Sequence, residues 1–240
     1  MAEKIKTGVP GMDEILKGGL RKTASVMIDG GPGTGKTIFA LQFIIEGAKN
    51  NETGLFITLE EDLSSLRSYA KDLGLELEKY EKKGLITLLQ QPLAVRKMVD
   101  ISTPLQIITQ KKVKRVVLDS LSLFEYVHEP GSIDFRKEIL EFLLRMKELG
   151  VTFLSTSQQS TIDFDKIEYQ PEDFLFEGLI LTTRIRKQSS FERCLTVVKM
   201  RGQEHSTDIF PFSIGKGGLT VYPDQIPFSL IEQDAKKTRK

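Results

Sequence analysis

Short apolar runs alternate with segments of helical periodicity along most of the chain. Each apolar run is followed by apolar positions three to four residues apart, a pattern typical of a strand and then an amphipathic helix. Repeated strand–helix units predict a mostly parallel sheet with helices on both faces. The predicted strands are Ser25–Asp29, Gly54–Leu59, Leu85–Leu89, Arg115–Asp119 and Val151–Ser155.

The helices between these strands have recognisable start signals. The first is predicted over Thr37–Lys49, directly after a glycine-rich turn. Asp62 and Ser132 are predicted N-caps of two further helices, and a short helix is predicted to start with Ser102 or Thr103 as cap and Pro104 at the first helical position. The helix after Ser132 has four apolar residues on its predicted core face: Ile139, Leu140, Leu143 and Met146.

The last third of the chain changes to a β-rich pattern. Gly178–Arg184, Glu192–Lys199 and Thr207–Ile214 are predicted as antiparallel strands separated by turns. We therefore expect an α/β fold whose parallel sheet continues into an antiparallel β extension, so that residues 1–240 form a single domain. Residues 235–240 are predicted to be a frayed basic tail.

Composition excludes several classes of protein. The 34 Lys and Arg residues nearly balance the 33 Asp and Glu residues, which argues against a polybasic nucleic-acid module. The single cysteine, Cys194, excludes an intrachain disulfide framework and a cysteine zinc site, and two histidines are too few for a histidine metal centre. No apolar run approaches membrane-spanning length and no signal peptide is visible, so we expect a cytoplasmic protein without a membrane partner.

The strongest motif is the segment from Gly30 to Thr37, which matches G-x-x-x-x-G-K-[ST] between a predicted strand and a predicted helix. Glycines let backbone N–H groups surround phosphate oxygens at the helix N-terminus. Lys36 would contact the β- and γ-phosphates, and the Thr37 hydroxyl would bind Mg²⁺. The alternative is a tight glycine turn without a ligand. The predicted nucleotide-binding residues of this segment are Gly31, Pro32, Gly33, Thr34, Gly35, Lys36, Thr37 and Ile38.

Polar residues at three other strand ends would complete such a site. Asp119 follows an apolar strand and is predicted to hold the magnesium ion with Thr37. Glu60 and Glu61 follow the second strand, where a carboxylate can orient or deprotonate the attacking water. Adjacent strand residues face opposite sides, so only one of the two would approach the phosphate; a solvated pair leading into a helix is the alternative. Gln158, after the fifth strand, could sense the γ-phosphate or simply be a polar loop residue.

Together these residues resemble the KaiC-like branch of the RecA superfamily of ATPases. The resemblance begins with Thr7–Asp13 followed by Gly18-Gly19-Leu20, and continues through the phosphate loop, the glutamate pair and Val116–Ser120. Its most specific part is Lys199–His205 followed by Phe210-Pro211-Phe212. The resemblance implies a RecA-like fold, ATP and Mg²⁺ as cofactors, and a homo-oligomeric ring, expected to be a hexamer, with nucleotide between subunits.

The same resemblance assigns roles that the residue pattern alone does not. It implies that Glu60 and Glu61 are catalytic and that Lys199 and Arg201 reach the γ-phosphate bound to the neighbouring subunit. Met200 and His205 would also face that nucleotide. Without the resemblance, Lys199 and Arg201 are alternate residues on one face of an edge strand, where solvation is the usual outcome. The clock protein of the family that this chain resembles has two such domains in tandem, whereas this chain has one. We therefore expect a regulatory or signal-transducing ATPase without clock function or autophosphorylation.

Two rival functions follow from the same core. A RecA-type DNA-processing ATPase would use the loops after the fourth and fifth strands to contact DNA. Residues 161–173 contain five acids and one lysine, and residues 123–132 contain two glutamates and no Lys or Arg, so we expect no nucleic-acid partner. A nucleotide-gated scaffold, which binds ATP, hydrolyses it slowly and presents a surface to an unknown protein partner, is the second rival.

Overall fold

The computed structural model describes residues 3–59, 61–90, 102–121, 132–158, 169–187 and 189–231. Its strands are β1 (Lys4–Ile5), β2 (Leu20–Arg21), β3 (Ser25–Gly30), β4 (Gly54–Thr58), β5 (Ile86–Gln90), β6 (Arg115–Asp119), β7 (Thr152–Ser157), β8 (Gly178–Lys187), β9 (Ser190–Met200), β10 (Ile209–Gly215) and β11 (Gly218–Val221). Its helices are α1 (Met12–Ile15), α2 (Lys36–Lys49), α3 (Leu63–Asp72), α4 (Leu77–Lys82), α5 (Ser102–Lys111), α6 (Ile133–Glu148) and a 3₁₀ helix at Pro171–Phe174.

A nine-stranded sheet forms the centre of the molecule, in the order β11-β10-β9-β8-β3-β7-β6-β4-β5. The strands from β8 to β5 in this order run parallel, and β9, β10 and β11 extend the sheet antiparallel. This arrangement confirms the predicted fold class. Strand β3, which leads into the glycine-rich segment, lies in the interior of the sheet between β7 and β8.

Each face of the sheet is covered by its own hydrophobic cluster. Adjacent residues of β3 point to opposite faces, so Val26 and Ile28 belong to one cluster and Met27 to the other. The first cluster contains the apolar side of α2, including Phe39 and Phe43, and the second contains the apolar side of α6. Burial on both faces explains the continuous apolar runs in the middle of β3, β4 and β6.

The predicted helix starts are mostly confirmed. Asp62 caps α3 by accepting hydrogen bonds from the backbone N–H groups of Ser64 and Ser65, and Ser132 caps α6 by accepting one from Phe135 N. Helix α5 begins at Ser102, so Pro104 lies at its third position and not its first. Leu140 was predicted to face the core, but it is 42% exposed, whereas Ile139, Leu143 and Met146 are buried.

Several short elements were not predicted. They are the β1–β2 pair, helices α1 and α4, the 3₁₀ helix and the edge strand β11. The predicted strand Thr207–Ile214 begins at Ile209, and β9 is longer than predicted at both ends. Strand β9 is also not an edge strand, because it lies between β8 and β10. Of the residues of β9, however, β10 pairs only with Arg193–Thr196. The Lys199 end of β9 therefore has β8 as its one neighbouring strand.

Candidate functional site

The segment between β3 and α2 forms a closed loop held by side chains as well as by backbone. Lys36 folds back over the loop, and its Nζ donates to the carbonyl oxygens of Gly30 at 2.7 Å and Gly31 at 3.1 Å. The Thr34 hydroxyl donates to Gly31 O at 2.9 Å. The lysine ammonium group is therefore held against the backbone of the loop, where it is available to bind phosphate oxygens.

Two glycines in the loop are required by their surroundings. A Cβ on Gly30 would lie 2.3 Å from the backbone oxygen of Thr182 in β8, so only glycine fits between these strands. Gly35, the N-cap of α2, has a φ of 95°, which glycine adopts readily. Helix α2 therefore begins immediately behind the loop, with its unpaired N–H groups and positive dipole end directed at the phosphate position. Ile38, in its first turn, packs against the core.

A hydroxyl and a carboxylate from distant parts of the chain meet beside the loop. The Thr37 hydroxyl donates to Oδ2 of Asp119 at 2.9 Å, and the Thr156 hydroxyl donates to Oδ1 of the same carboxylate. Asp119 ends β6 and is only 8% exposed. The peptide bond between Asp119 and Ser120 is cis. Hydroxyl and carboxylate oxygens are the ligands that Mg²⁺ prefers, so the donor set fits this metal ion.

The glutamate pair follows β4 in a turn. Glu60 lies outside the described residues. Strand β4 ends at Thr58, and the Glu61 N–H donates to the Thr58 hydroxyl at 3.1 Å, so the predicted alternation of strand faces does not extend to Glu61. The Glu61 carboxylate accepts from the Tyr69 hydroxyl of α3 at 3.4 Å. Leu59 N donates to Asp119 O at 3.1 Å, so this turn starts beside the Thr37–Asp119 pair.

Gln158 is the first residue after β7 and is exposed. Its position at the same edge of the sheet as Asp119 agrees with the expected location, because β6 and β7 are parallel neighbours. Thr156 lies in the same polar segment, and no sequence pattern distinguishes it from its neighbours. Its contact with Asp119 is visible only once β6 and β7 are paired.

The residues expected to act on a neighbouring subunit lie at the C-terminal end of β9 and directly after it. Lys199 Nζ donates to Phe176 O and Arg201 Nη2 donates to Phe174 O, each at 2.8 Å. Burial, followed by the positive charge of Arg201, lowers the pKa of Lys199. Met200 is buried and His205 is half-buried, with Nδ1 of the imidazole 3.0 Å from Ser206 O.

The loop after β9 is anchored to the N-terminal segment. Gln203 accepts from Arg21 N at 3.0 Å, and its amide nitrogen donates to Leu16 O and Gly19 O, each at 3.1 Å. Within that segment, Asp13 accepts from both the N–H and the hydroxyl of Thr7 at 2.9 Å. The Lys199–His205 motif is therefore hydrogen-bonded to the segment that follows the Thr7–Asp13 motif.

The loops considered for DNA contact lie largely outside the described residues, which omit 122–131 and 159–168. In the described part, Tyr169 is exposed and packs against Phe174 with ring centroids 6.2 Å apart. Glu172 and Asp173, two of the five acids counted in that loop, are buried in the 3₁₀ helix. Burial raises the pKa of Glu172, and it raises the pKa of Asp173 to about 6.

The described residues contain neither a cluster of metal-binding side chains nor a membrane-spanning helix. No group of three or more His, Cys, Asp or Glu side chains is placed to hold a metal ion within residues 3–59, 61–90, 102–121, 132–158, 169–187 and 189–231. In the same ranges, every helix is too short or too polar to span a bilayer.

The chain is similar to known proteins over nearly its whole length. The family model described as "ATPase: KaiC" matches residues 5–226. A UPF0273 protein of Pyrococcus horikoshii is 32% identical, over 94% of this chain and 96% of its own length. Circadian clock protein KaiC3 of Synechocystis is 29% identical over 98% of this chain, which spans 48% of the clock protein. The crystal structure of a KaiC-like protein of P. horikoshii has a TM-score of 0.80 and 34% identity, covering 93% of this chain and 100% of its own.

Proposed function

Because the chain belongs to the KaiC family of ATPases, we propose that it binds Mg·ATP at Gly30–Thr37 and hydrolyses it between the subunits of a homo-oligomeric ring. The observation that carries this proposal is the contact between Thr37 and Asp119, 2.9 Å apart beside a lysine that is already folded over the loop. A glycine turn without a ligand would have no need for these three side chains to converge. We infer a regulatory ATPase, in which the nucleotide state of the ring controls its contact with a protein partner.

The subunit's own residues would bind and orient the triphosphate. Backbone N–H groups of the loop and the Lys36 ammonium group bind the β- and γ-phosphates. Thr37 and Asp119 would hold Mg²⁺, which withdraws charge from the phosphate oxygens when bound. Glu60 or Glu61 would orient the water for in-line attack and accept its proton, and Gln158 would contact the γ-phosphate from the end of β7.

Arg201 lies too far from the loop of its own subunit to act there. Met200 pairs with Gly178, and Gly178 pairs with Val26, four residues before Gly30 in β3. At about 3.3 Å per residue, Arg201 lies more than about 13 Å along the strands from the start of the loop. Arg201 follows the C-terminal end of β9, which lies at the edge of the sheet opposite the phosphate loop. We therefore infer that it meets a γ-phosphate only on another subunit.

This separation suits a head-to-tail ring, in which the loop of one subunit faces the Lys199–His205 segment of the next. A cation that arrives from the neighbour would stabilise charge on the γ-phosphoryl oxygens only in the assembled ring. Arg201 is exposed, and its bond to Phe174 O uses one of five guanidinium N–H donors, so others remain to contact phosphate. Lys199 would have to exchange its bond to Phe176 O for a phosphate oxygen. Met200 and His205 would line the same interface, and we take the ring to be hexameric.

The proposal is tested by measuring ATPase activity per subunit over a wide range of protein concentration, with the oligomeric state determined in parallel. We expect activity per subunit to rise with assembly, because each site is completed by its neighbour. Lys36→Ala should abolish nucleotide binding, and an unchanged affinity would contradict the loop assignment. A monomer with full activity would contradict the ring. Tight ATP binding without turnover at any concentration would instead favour the nucleotide-gated scaffold.

A further inference from the structure

The segment that carries Arg201 begins where β9 leaves the sheet. Strand β9 ends at Met200, and this end of the strand is paired with β8 on one side. Arg201 N donates to Glu177 O at 2.9 Å, and the chain then turns at Gly202, which has a φ of 73°. A strand end that is paired on one side opens easily, so the position of Arg201 depends on support from elsewhere in the fold.

The side chain of Gln203 connects this loop to the N-terminal segment. Its Oε1 accepts from Arg21 N at 3.0 Å, and its Nε2 donates to Leu16 O and Gly19 O, each at 3.1 Å. A glutamine amide has one acceptor oxygen and two N–H donors, and each of these groups has a partner here. Gln203 is half-buried and lies two residues after Arg201, so a displacement of its amide would shift the backbone of Arg201.

Two more contacts hold the same loop. Nη1 of Arg21 donates to Arg201 O at 3.4 Å, and a methyl group on Gly202 would overlap the same nitrogen. Further along, Ser206 N donates to Ile15 O at 2.9 Å. The loop is therefore held to the N-terminal segment both before and after the glutamine.

A hydrogen-bonded support can position a loop only if the support is itself fixed, and the N-terminal segment is fixed to β11 and to α2. Pro10 O accepts from Val221 N of β11 at 2.9 Å. Gly8 packs so closely against α2 that a methyl group on it would lie 2.7 Å from Gln42 O. The partners of Gln203 therefore belong to the same packed body as the helix that follows the phosphate loop.

We propose that Gln203 is a positioning residue for hydrolysis in trans. It fixes the backbone of Arg201, so that only the guanidinium group has to move to reach the γ-phosphate on the neighbouring subunit. This inference rests on the proposed function, because it requires Arg201 to act on a neighbour's nucleotide. Gln203 itself contacts no phosphate and acts through Arg201. A displacement of about 1 Å at a reacting centre can cost about a hundredfold in rate, so the placement of this backbone matters.

The test compares ATP affinity, assembly and turnover in wild type, Gln203→Ala and Gln203→Met. Methionine keeps the length of the side chain and loses all three hydrogen bonds. We expect both variants to bind ATP and assemble as wild type does, and to turn over about ten to a hundred times more slowly. In an Arg201→Ala background, Gln203→Ala should cause no further loss of turnover, because its effect is exerted through Arg201.

Mixing variants shows whether the effect is exerted on the neighbour. Gln203→Ala keeps an intact phosphate loop, whereas Lys36→Ala keeps an intact Gln203 and Arg201. A quarter of the head-to-tail interfaces in an equal mixture should combine the intact parts, so we expect about a quarter of the wild-type rate. A Gln203→Ala subunit that has merely lost its fold could not be rescued in this way.

Lys4→Ala is the matched control. Lys4 Nζ donates to Leu16 O at 3.1 Å and to Lys17 O at 2.7 Å, so it shares an acceptor with Gln203, but both of its acceptors lie within the N-terminal segment. This variant should turn over ATP as wild type does, and a loss equal to that of Gln203→Ala would contradict the positioning role.

The outcomes separate this inference from the proposed function. Wild-type turnover in Gln203→Ala or Gln203→Met, together with an inactive Arg201→Ala, would overturn the inference and leave the proposed function intact. A further loss of turnover when Gln203→Ala is added to Arg201→Ala would do the same. Wild-type turnover in Arg201→Ala would overturn both the inference and the action of Arg201 in trans.

Discussion

The hydroxyl of Thr37 donates a hydrogen bond of 2.9 Å to Oδ2 of Asp119, joining the first turn of α2 to the end of β6. Both oxygens lie beside the loop over which Lys36 is folded. A magnesium ion needs the negative charge of this carboxylate, whereas the hydrogen bond from Thr37 needs only an acceptor oxygen in the same position. Function and stability can therefore be separated at this residue by removing the charge alone.

Asp119→Asn should lower ATPase activity by at least about a hundredfold and raise the Mg²⁺ concentration needed for ATP binding. The asparagine oxygen can still accept from Thr37 and the amide nitrogen can donate to the Thr156 hydroxyl oxygen, so the apo fold should unfold at nearly the same temperature as wild type. Thr37→Ser keeps the hydroxyl and should retain most of the activity. Titration of ATP affinity and turnover against Mg²⁺ checks both variants. A wild-type Mg²⁺ requirement in Asp119→Asn would remove Asp119 from the metal site.

The two glutamates after β4 should differ in their importance for turnover. The Glu61 carboxylate accepts from the Tyr69 hydroxyl, which directs it to α3, so we expect Glu60 to be the residue that activates water. Glu60→Gln should lower the rate of ATP hydrolysis by at least about a hundredfold while keeping ATP affinity, and Glu61→Gln should cost less than about tenfold. Single-turnover hydrolysis and ATP binding measured on both variants make the comparison. The reverse order of effects would assign the role to Glu61.

Mixing two inactive variants tests whether Arg201 acts in trans. Arg201→Ala should bind ATP and assemble nearly as wild type but lose about a thousandfold in turnover, the usual effect of removing such a cation. Lys36→Ala should be inactive because its loop is impaired, although its Arg201 is intact. In an equal mixture, a quarter of the head-to-tail interfaces should combine an intact loop with an intact Arg201, giving about a quarter of the wild-type rate. A mixture no more active than its components would contradict action in trans.

The sequence predicted those parts of the fold and site that depend on neighbouring residues. The phosphate loop, the strand ending at Asp119 and the capped helices α3 and α6 each have a local pattern, and the structure contains them where they were expected. The turn at Glu61 was missed because the Thr58 hydroxyl ends β4 one residue earlier than the apolar run suggests.

Contacts between residues distant in sequence could not be predicted in the same way. Thr156 reaches Asp119 only because β6 and β7 are adjacent, and Thr182 reaches Thr34 only because β8 lies beside β3. Gln203 looks like an ordinary polar loop residue until the N-terminal segment supplies its partners. A single sequence does not specify which strands become neighbours. The contacts that support Asp119 and the phosphate loop from adjacent strands were therefore visible only in the structure.

Buried Asp173 should make the stability of the protein depend on pH in a way that one substitution removes. Burial, opposed in part by Lys199, raises the pKa of this carboxyl to about 6 from 3.8; one oxygen accepts from Gln170 N, and the other has no partner among the described residues. The penalty for the charged form is therefore complete above about pH 6, and it shrinks as the pH falls through 4. Asp173→Asn should stabilise the protein by up to about 3 kcal/mol near pH 8 and by only about 1 kcal/mol near pH 4.5 in thermal unfolding. Exposed Asp224 is the control, since Asp224→Asn should have no such dependence; equal stabilisation by Asp173→Asn at both pH values would show that charge burial is not the cause.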